Sequence, residues 1–504
     1  MLAVSAALFS SAALAQPVTS PGAESVSVTI YRAPDRRPDT PLNLGWLEGY
    51  ALVTERRTVE IPAGRATIRF ENVAAGMLPE SAIVTGLPAG VREKNLDADL
   101  LSPRNLYARA FGRPVMLRRT NRTNGAVREE RAVIRSAPDG AAILQTAAGF
   151  EAINCGALQD ALSYEGVPAG LPARPTLSIE TEAPAATRVT LTLSYLAWGF
   201  DWQANYVVQM RPGGRSADLF AWVTLASSDA TSFPAAETSV VAGKINREDR
   251  RGYQYRQPQH LIFRCPVREP APPPPPPAPP SPMMEAYGGD EIVVTGMAAR
   301  AGPLAMAQQE ELGDLKLYRI PRPTDVAANA QKQVAMIDRE SVKVEVYYGA
   351  TIQADNIGTP MLSFRAQNRE AAGLGLPLPA GKVAVFETHQ ARPVLIGEGS
   401  LDDKAVGEEV EVEVAEATQV TATVESEEQS PDRTDYVVSV RNANPWPVRF
   451  EAAIVLDSEQ RIERPSERIG RKDGRPYWRK TVPANGSVML RYTAGRLEKR
   501  SVSM

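Results

Sequence analysis

The chain is poor in the residues that most often carry metal and thiol chemistry: its 504 residues include two cysteines and two histidines. His260 and His389 lie on different segments, with no His-x-x-His or His-Glu-x-x-His spacing, so no zinc-hydrolase signature is present. Two cysteines do not make a tetrahedral zinc site. A Gly-x-Ser-x-Gly elbow, a P-loop and a dinucleotide fingerprint are also missing. Neither sign of charge dominates: 56 Lys and Arg against 59 Asp and Glu leave a net charge of −3, spread along the whole chain. That excludes the basic footprint of a nucleic-acid binder. Beyond the first residues, no apolar run approaches the ~20 residues that span a bilayer. No catalytic residue, metal or cofactor is expected, and no transmembrane segment after processing.

What is present begins at the N-terminus. Met1 to Ala15 is uncharged and apolar, and Ala13-Leu14-Ala15 is a small-x-small cleavage pattern ahead of the polar stretch from Gln16 to Gly22. This reads as a signal peptide over 1–15, with a start codon expected upstream because the basic n-region is missing. Export places the chain in the periplasm or envelope of a Gram-negative bacterium. Few cysteines suit such an oxidising compartment. Cys155 and Cys265 form a possible disulfide, which would close a loop of about 110 residues and add roughly 4–5 kcal/mol in the chain-entropy model. Two buried free thiols are the alternative.

Strand signals dominate. Val26, Val28 and Ile30 alternate with Ser25, Ser27 and Thr29, the period of a half-buried strand. Asn124-Gly125 and Asp139-Gly140 separate further strands as hairpin turns. One short helix is expected after Ser102-Pro103, an N-cap followed by proline at the first helical position. The fold class that follows is all-β: multi-domain antiparallel β-sandwiches with a small barrel-like module and a C-terminal immunoglobulin-like sandwich. The expected divisions are an N-terminal β-domain (16–100), the helix with the barrel-like module (101–172), a central sandwich (173–268 and 307–417) and the terminal sandwich (418–504). The insert 269–306 is proline-rich, and Pro270–Pro282 should form a polyproline rod. At about 3.1 Å per residue it reaches roughly 40 Å.

Several motifs together resemble a bacterial family of exported proteins related to mucoidy inhibitors. They are Ala51-Leu-Val-Thr-Glu-Arg-Arg-Thr-Val-Glu-Ile-Pro-Ala-Gly64, Leu78-Pro-Glu-Ser-Ala82, Trp198-Gly-Phe-Asp-Trp-Gln-Ala-Asn-Tyr206, Val241-Ala-Gly-Lys-Ile-Asn-Arg247, Leu315-Lys-Leu-Tyr-Arg-Ile-Pro321 and Leu378-Pro-Ala-Gly381. The resemblance implies an all-β architecture and an envelope location, and it implies no reaction. Many relatives carry a coiled coil where this chain has the barrel-like module.

Asp290-Glu291-Ile292-Val293-Val294-Thr295-Gly296 follows the proline rod and resembles a TonB box. Ile292, Val293, Val294 and Thr295 are β-branched, so the segment is suited to joining a partner's exposed sheet edge as an added strand. The expected partner is TonB or another periplasmic protein. The plainer reading is a short edge strand or an incidental apolar patch in a loop.

Three further patterns have a functional and a plainer reading. Trp198, Phe200 and Trp202 alternate as though on one strand face, as a stacking platform for sugar rings or, more commonly, as sandwich core. Glu408 to Glu416 alternates acid with valine, and Glu409, Glu411 and Glu413 are expected to face solvent rather than calcium. With 59 acidic residues, a spatially assembled carboxylate pair stays open. The leading function is therefore an exported binding or scaffold protein. The alternative is a glycan- or peptidoglycan-active hydrolase on a sandwich scaffold.

Overall fold

The computed structural model describes residues 15–97, 101–121, 124–136, 142–152, 158–166, 174–243, 308–312 and 315–496. Strands dominate these residues, and the one α-helix among them is Pro103–Arg109. The protein is all-β and built from several sheets, largely antiparallel. It divides into two compact units, 1–24 with 55–193 and 247–303, and 25–54 with 194–246 and 304–504. Among the described residues no helix is long and apolar enough to cross a membrane.

In the first unit a four-stranded sheet runs in the order Gln16–Ser20, Gly64–Glu71, Thr176–Ala183, Glu93–Asp97. Chain order suggests that Thr176–Ala183 opens the central sandwich. It instead pairs antiparallel with Gly64–Glu71, placing Leu177 opposite Phe70 and Ile179 opposite Ile68. All four of those side chains are fully buried. Gln16–Ser20 joins the same sheet in parallel.

Beside this core lies a buried ion pair. The Arg57 Nε donates to Glu55 at 2.7 Å, and its two terminal nitrogens donate to the carbonyls of Ser20 (2.9 Å) and Glu71 (2.8 Å). A buried guanidinium is tolerated because each nitrogen has an acceptor.

The same unit holds a five-stranded antiparallel sheet in the order Gly149–Ala152, Ile143–Thr146, Val127–Ile134, Pro114–Asn121, Leu158–Tyr164. The helix begins where the sequence places it: Ser102 Oγ accepts from the Asn105 N–H at 3.1 Å, with Pro103 in the first turn. Tyr107 and Ala110 of this helix pack with Val115, Leu117, Ile134 and Leu144 into one core.

The second unit is organised by one strand of 24 residues, Ala330–Gln353. Its first half pairs with Ser216–Ser227, and its second half pairs with Met361–Gln367. Ser341, at φ +56°, lies between the halves. A strand that changes neighbours at such a bend lets one ladder continue into two facing layers. On one side follow Phe200–Met210, Gly381–His389 and Arg392–Leu401; on the other, Met361–Gln367 pairs with Glu409–Glu416. The end of the long strand pairs in parallel with Val448–Val455, which begins the C-terminal module.

That module is an immunoglobulin-like sandwich. Val420–Ser430, Arg433–Asn442, Ser487–Arg496 and Gln460–Glu463 form one sheet, facing Val448–Val455, Arg475–Val482 and Gly470–Lys472. Val438, Val440 and Leu490 meet Phe450, Ile454 and Trp478 in the shared core. The turn after Asn442 is fixed by that residue's buried amide, which donates to the carbonyls of Trp446 (2.8 Å) and Pro483 (3.0 Å).

Candidate partner-binding site

The segment Asp290–Gly296 lies outside the described residues, as do Cys155 and Cys265. The structure describes the sheet that holds the strands on either side of residues 244–307. Phe233–Ala242 pairs antiparallel with Leu315–Arg319, which pairs antiparallel with Gln308–Leu312. Ala242, Lys316 and Glu311 lie side by side across these three strands. The described strands on either side of residues 244–307 therefore lie in one sheet, separated by a single strand. Gln308–Leu312 is the last strand of that sheet, and its outer edge has no strand partner among the described residues. Gln308, Gln309 and Glu310 are exposed. A short polar edge of this kind resists unwanted pairing.

Trp198, Phe200 and Trp202 do not share a strand face. Thr187–Trp198 ends at Trp198, and Phe200–Met210 begins two residues later. Gly199, at φ +86°, makes the break, and a β-carbon there would lie 2.8 Å from Ser228 Oγ. The alternation in sequence therefore spans a turn. Phe200 and Trp202 are fully buried, and the Trp202 indole donates to the Val241 carbonyl at 3.1 Å. Trp198 is half-buried and packs edge-on to Tyr50, with ring centroids 6.0 Å apart. Trp198, Phe200 and Trp202 therefore form no shared platform for stacking a sugar.

The acidic strand also departs from expectation. Val410, Val412 and Val414 are buried and Glu413 is exposed, as the alternation requires. Glu409 and Glu411, however, are drawn into an ion cluster instead of facing open solvent. Arg365 is its centre, on the strand beside them. Its guanidinium reaches Glu411 at 2.6 Å and Glu451 at 2.7 Å, and lies 4.2 Å from the centre of the Tyr347 ring. Lys472 adds contacts to Glu409 (2.9 Å) and Glu411 (2.5 Å), and the Tyr477 hydroxyl donates to Glu451 at 2.8 Å. Glu451 pairs across the ladder with Gly349 of the long strand. A β-carbon at 349 would lie 3.3 Å from the Tyr347 ring.

The electrostatics of this cluster run against acid–base catalysis. Burial pushes both carboxyls up, but hydrogen bonds and charge from Lys472 and Arg365 hold Glu411 below the usual range. Arg365 and Tyr477 do the same for Glu451. A glycosidase needs one carboxyl held protonated as the acid, and here both are held ionised.

A pH dependence follows. Both folded values are depressed, so the stabilisation is complete above the unfolded value of about 4.3 and is lost as pH falls through the folded values. Urea midpoints of the second unit should drop steeply below about pH 4. The double substitution Glu411→Gln, Glu451→Gln should flatten that slope, and an unchanged slope would remove the cluster as its cause.

One other buried carboxylate stands apart. Asp201 is fully buried and accepts from Arg36 (2.7 Å) and from the backbone N–H groups of Ala33 (3.1 Å) and Trp202 (2.8 Å). Burial raises its carboxyl above the ordinary value despite these partners. Its contacts pin the loop that follows Tyr31 and leave no face open to a substrate. Among the described residues, no group of three His, Cys, Asp or Glu side chains converges as a metal would require.

No family model matches this chain. No curated protein matches it either. The functional reading therefore rests on the sequence and on the geometry above.

Proposed function

We propose that this is an exported binding or scaffold protein of the Gram-negative envelope. In this reading, Asp290–Gly296 joins a partner's sheet as an added strand, and the partner is the periplasmic domain of TonB. The leader-like N-terminus and the resemblance to exported mucoidy-inhibitor-like proteins support the location. The observation that supports the reading is that Phe233–Ala242 and Gln308–Leu312, the described strands on either side of 244–307, lie in one sheet with Leu315–Arg319 between them. A segment rich in β-branched residues that follows a proline-rich run in the sequence has the composition that strand addition uses: main-chain hydrogen bonds for affinity, alternate side chains for specificity.

Titration of a peptide spanning Glu285–Arg300 into the TonB periplasmic domain should give saturable binding by calorimetry. Val293→Pro should abolish it, because proline removes an N–H from the ladder and fixes φ. No heat of binding up to about 1 mM, where association is worth only about 4 kcal/mol, would remove the reading.

A further inference from the structure

The two layers of the central sandwich do not fill the space between them. Val208, Leu219 and Val385 from one layer face Phe364, Ala366 and Val410 from the other across a void of about 70 Å³. Leu219, Ala366 and Val410 each keep 9% of their surface exposed, whereas Phe200, Trp202 and Val223 keep none. Side chains at the middle of a close-packed core have no such residue of exposure. The loose packing therefore belongs to the Val208–Leu219 end of this layer and not to its far end at Phe200, Trp202 and Val223.

Its chemistry is apolar. Apart from Tyr206 and Arg365, every lining side chain is aliphatic or phenyl. The Tyr206 hydroxyl is committed to the Pro379 carbonyl at 2.6 Å, and the Arg365 guanidinium is committed to Glu411 and Glu451. A buried water needs two to four polar partners, and here it would find none free, so the space favours hydrocarbon over water.

One end is closed by the loop carrying Leu374 and Leu378. Fully buried Asn368 holds that loop: its amide donates to the carbonyls of Leu376 and Ala405 (both 2.8 Å), and its Oδ1 accepts from the Gly375 N–H at 3.1 Å. Val208 and Val344 are the half-buried members of the lining, so the approach from solvent runs past them. The Val344 N–H donates to the carbonyl of Arg215, an exposed residue, at 3.1 Å.

We propose that this void is a binding site for the end of a single hydrocarbon chain, whose polar head stays in solvent near Val208 and Val344. The volume suits a chain end and not a whole lipid. The site is independent of the strand-addition reading, because its residues share nothing with the insert. The chain's source is either a free fatty acid or the acyl tail of a membrane phospholipid.

The test uses the full chain and a series of straight-chain alkanoic acids of about six to fourteen carbons, with diacyl phosphatidylglycerol vesicles as a second arm. Affinity should rise with each methylene and level off once the void is full. Ala366→Leu should weaken binding at least tenfold and bring the plateau to shorter chains. Val410→Ala enlarges the space and should move the plateau to longer chains, which keeps the test decisive if the leucine variant overpacks. Leu395→Ser, on an exposed strand of the same layer, should change nothing. Saturable binding of the acids assigns the chain to free fatty acid, and binding of vesicles alone assigns it to membrane lipid. No saturable binding in either arm, or one chain-length profile shared by wild type, Ala366→Leu and Val410→Ala, would overturn the proposal.

Discussion

Replacing Arg365 by methionine should destabilise the second unit by about 3–5 kcal/mol, read as a lower urea midpoint at unchanged slope. Methionine keeps an unbranched apolar stem against Tyr347 while deleting the guanidinium. Glu451, whose side chain is 0% exposed, is then left with the Tyr477 hydroxyl and with Arg479 at 3.5 Å. The main cost is that stranded carboxylate, not the lost attraction. Arg365→Met combined with Glu451→Gln should therefore cost less than the sum of the two changes, because the second removes the charge that the first orphans. Arg479→Met is the control. That side chain is 57% exposed, and its loss should cost less than about 1 kcal/mol. Additive costs for the Arg365–Glu451 pair would mean that the two act separately.

Trp478→Ala should cost about 3–5 kcal/mol, through the cavity left in the C-terminal sandwich. Trp478 is fully buried, packs edge-on against Phe450 with centroids 5.8 Å apart, and donates its indole N–H to Glu467 at 3.2 Å. Trp478→Phe separates the contributions. It keeps an aromatic edge against Phe450 and loses the hydrogen bond, so about 1–2 kcal/mol is expected. A loss for phenylalanine equal to that for alanine would assign the effect to the Glu467 bond instead of packing.

The sequence made legible what is local. Period-two alternation marks strands such as Ser25–Tyr31 and Arg433–Asn442, and Ser102-Pro103 marks the helix start because cap chemistry acts within three residues. The unforeseen features join distant parts of the chain. Phe200–Met210 runs parallel to Gly381–His389, and Ser25–Tyr31 runs parallel to Phe233–Ala242. Parallel neighbours need long crossovers, so no turn signal links them.

The same limit hid the ion cluster. Arg365, Glu411, Glu451 and Lys472 come from four strands, and nothing near Arg365 in sequence marks it as buried. Trp198, Phe200 and Trp202 misled for the opposite reason. Their alternation runs through Gly199, where a positive φ resets the strand.

The proposed function requires residues 290–296 to bind a partner within the full chain. Crosslinking in intact envelopes, followed by recovery of the full chain, tests this most directly when the native protein is compared with one lacking Asp290–Gly296. The expected result is a TonB adduct with the native chain that disappears with the deletion. An identical set of adducts from both proteins, or none containing TonB from the native chain, would contradict it.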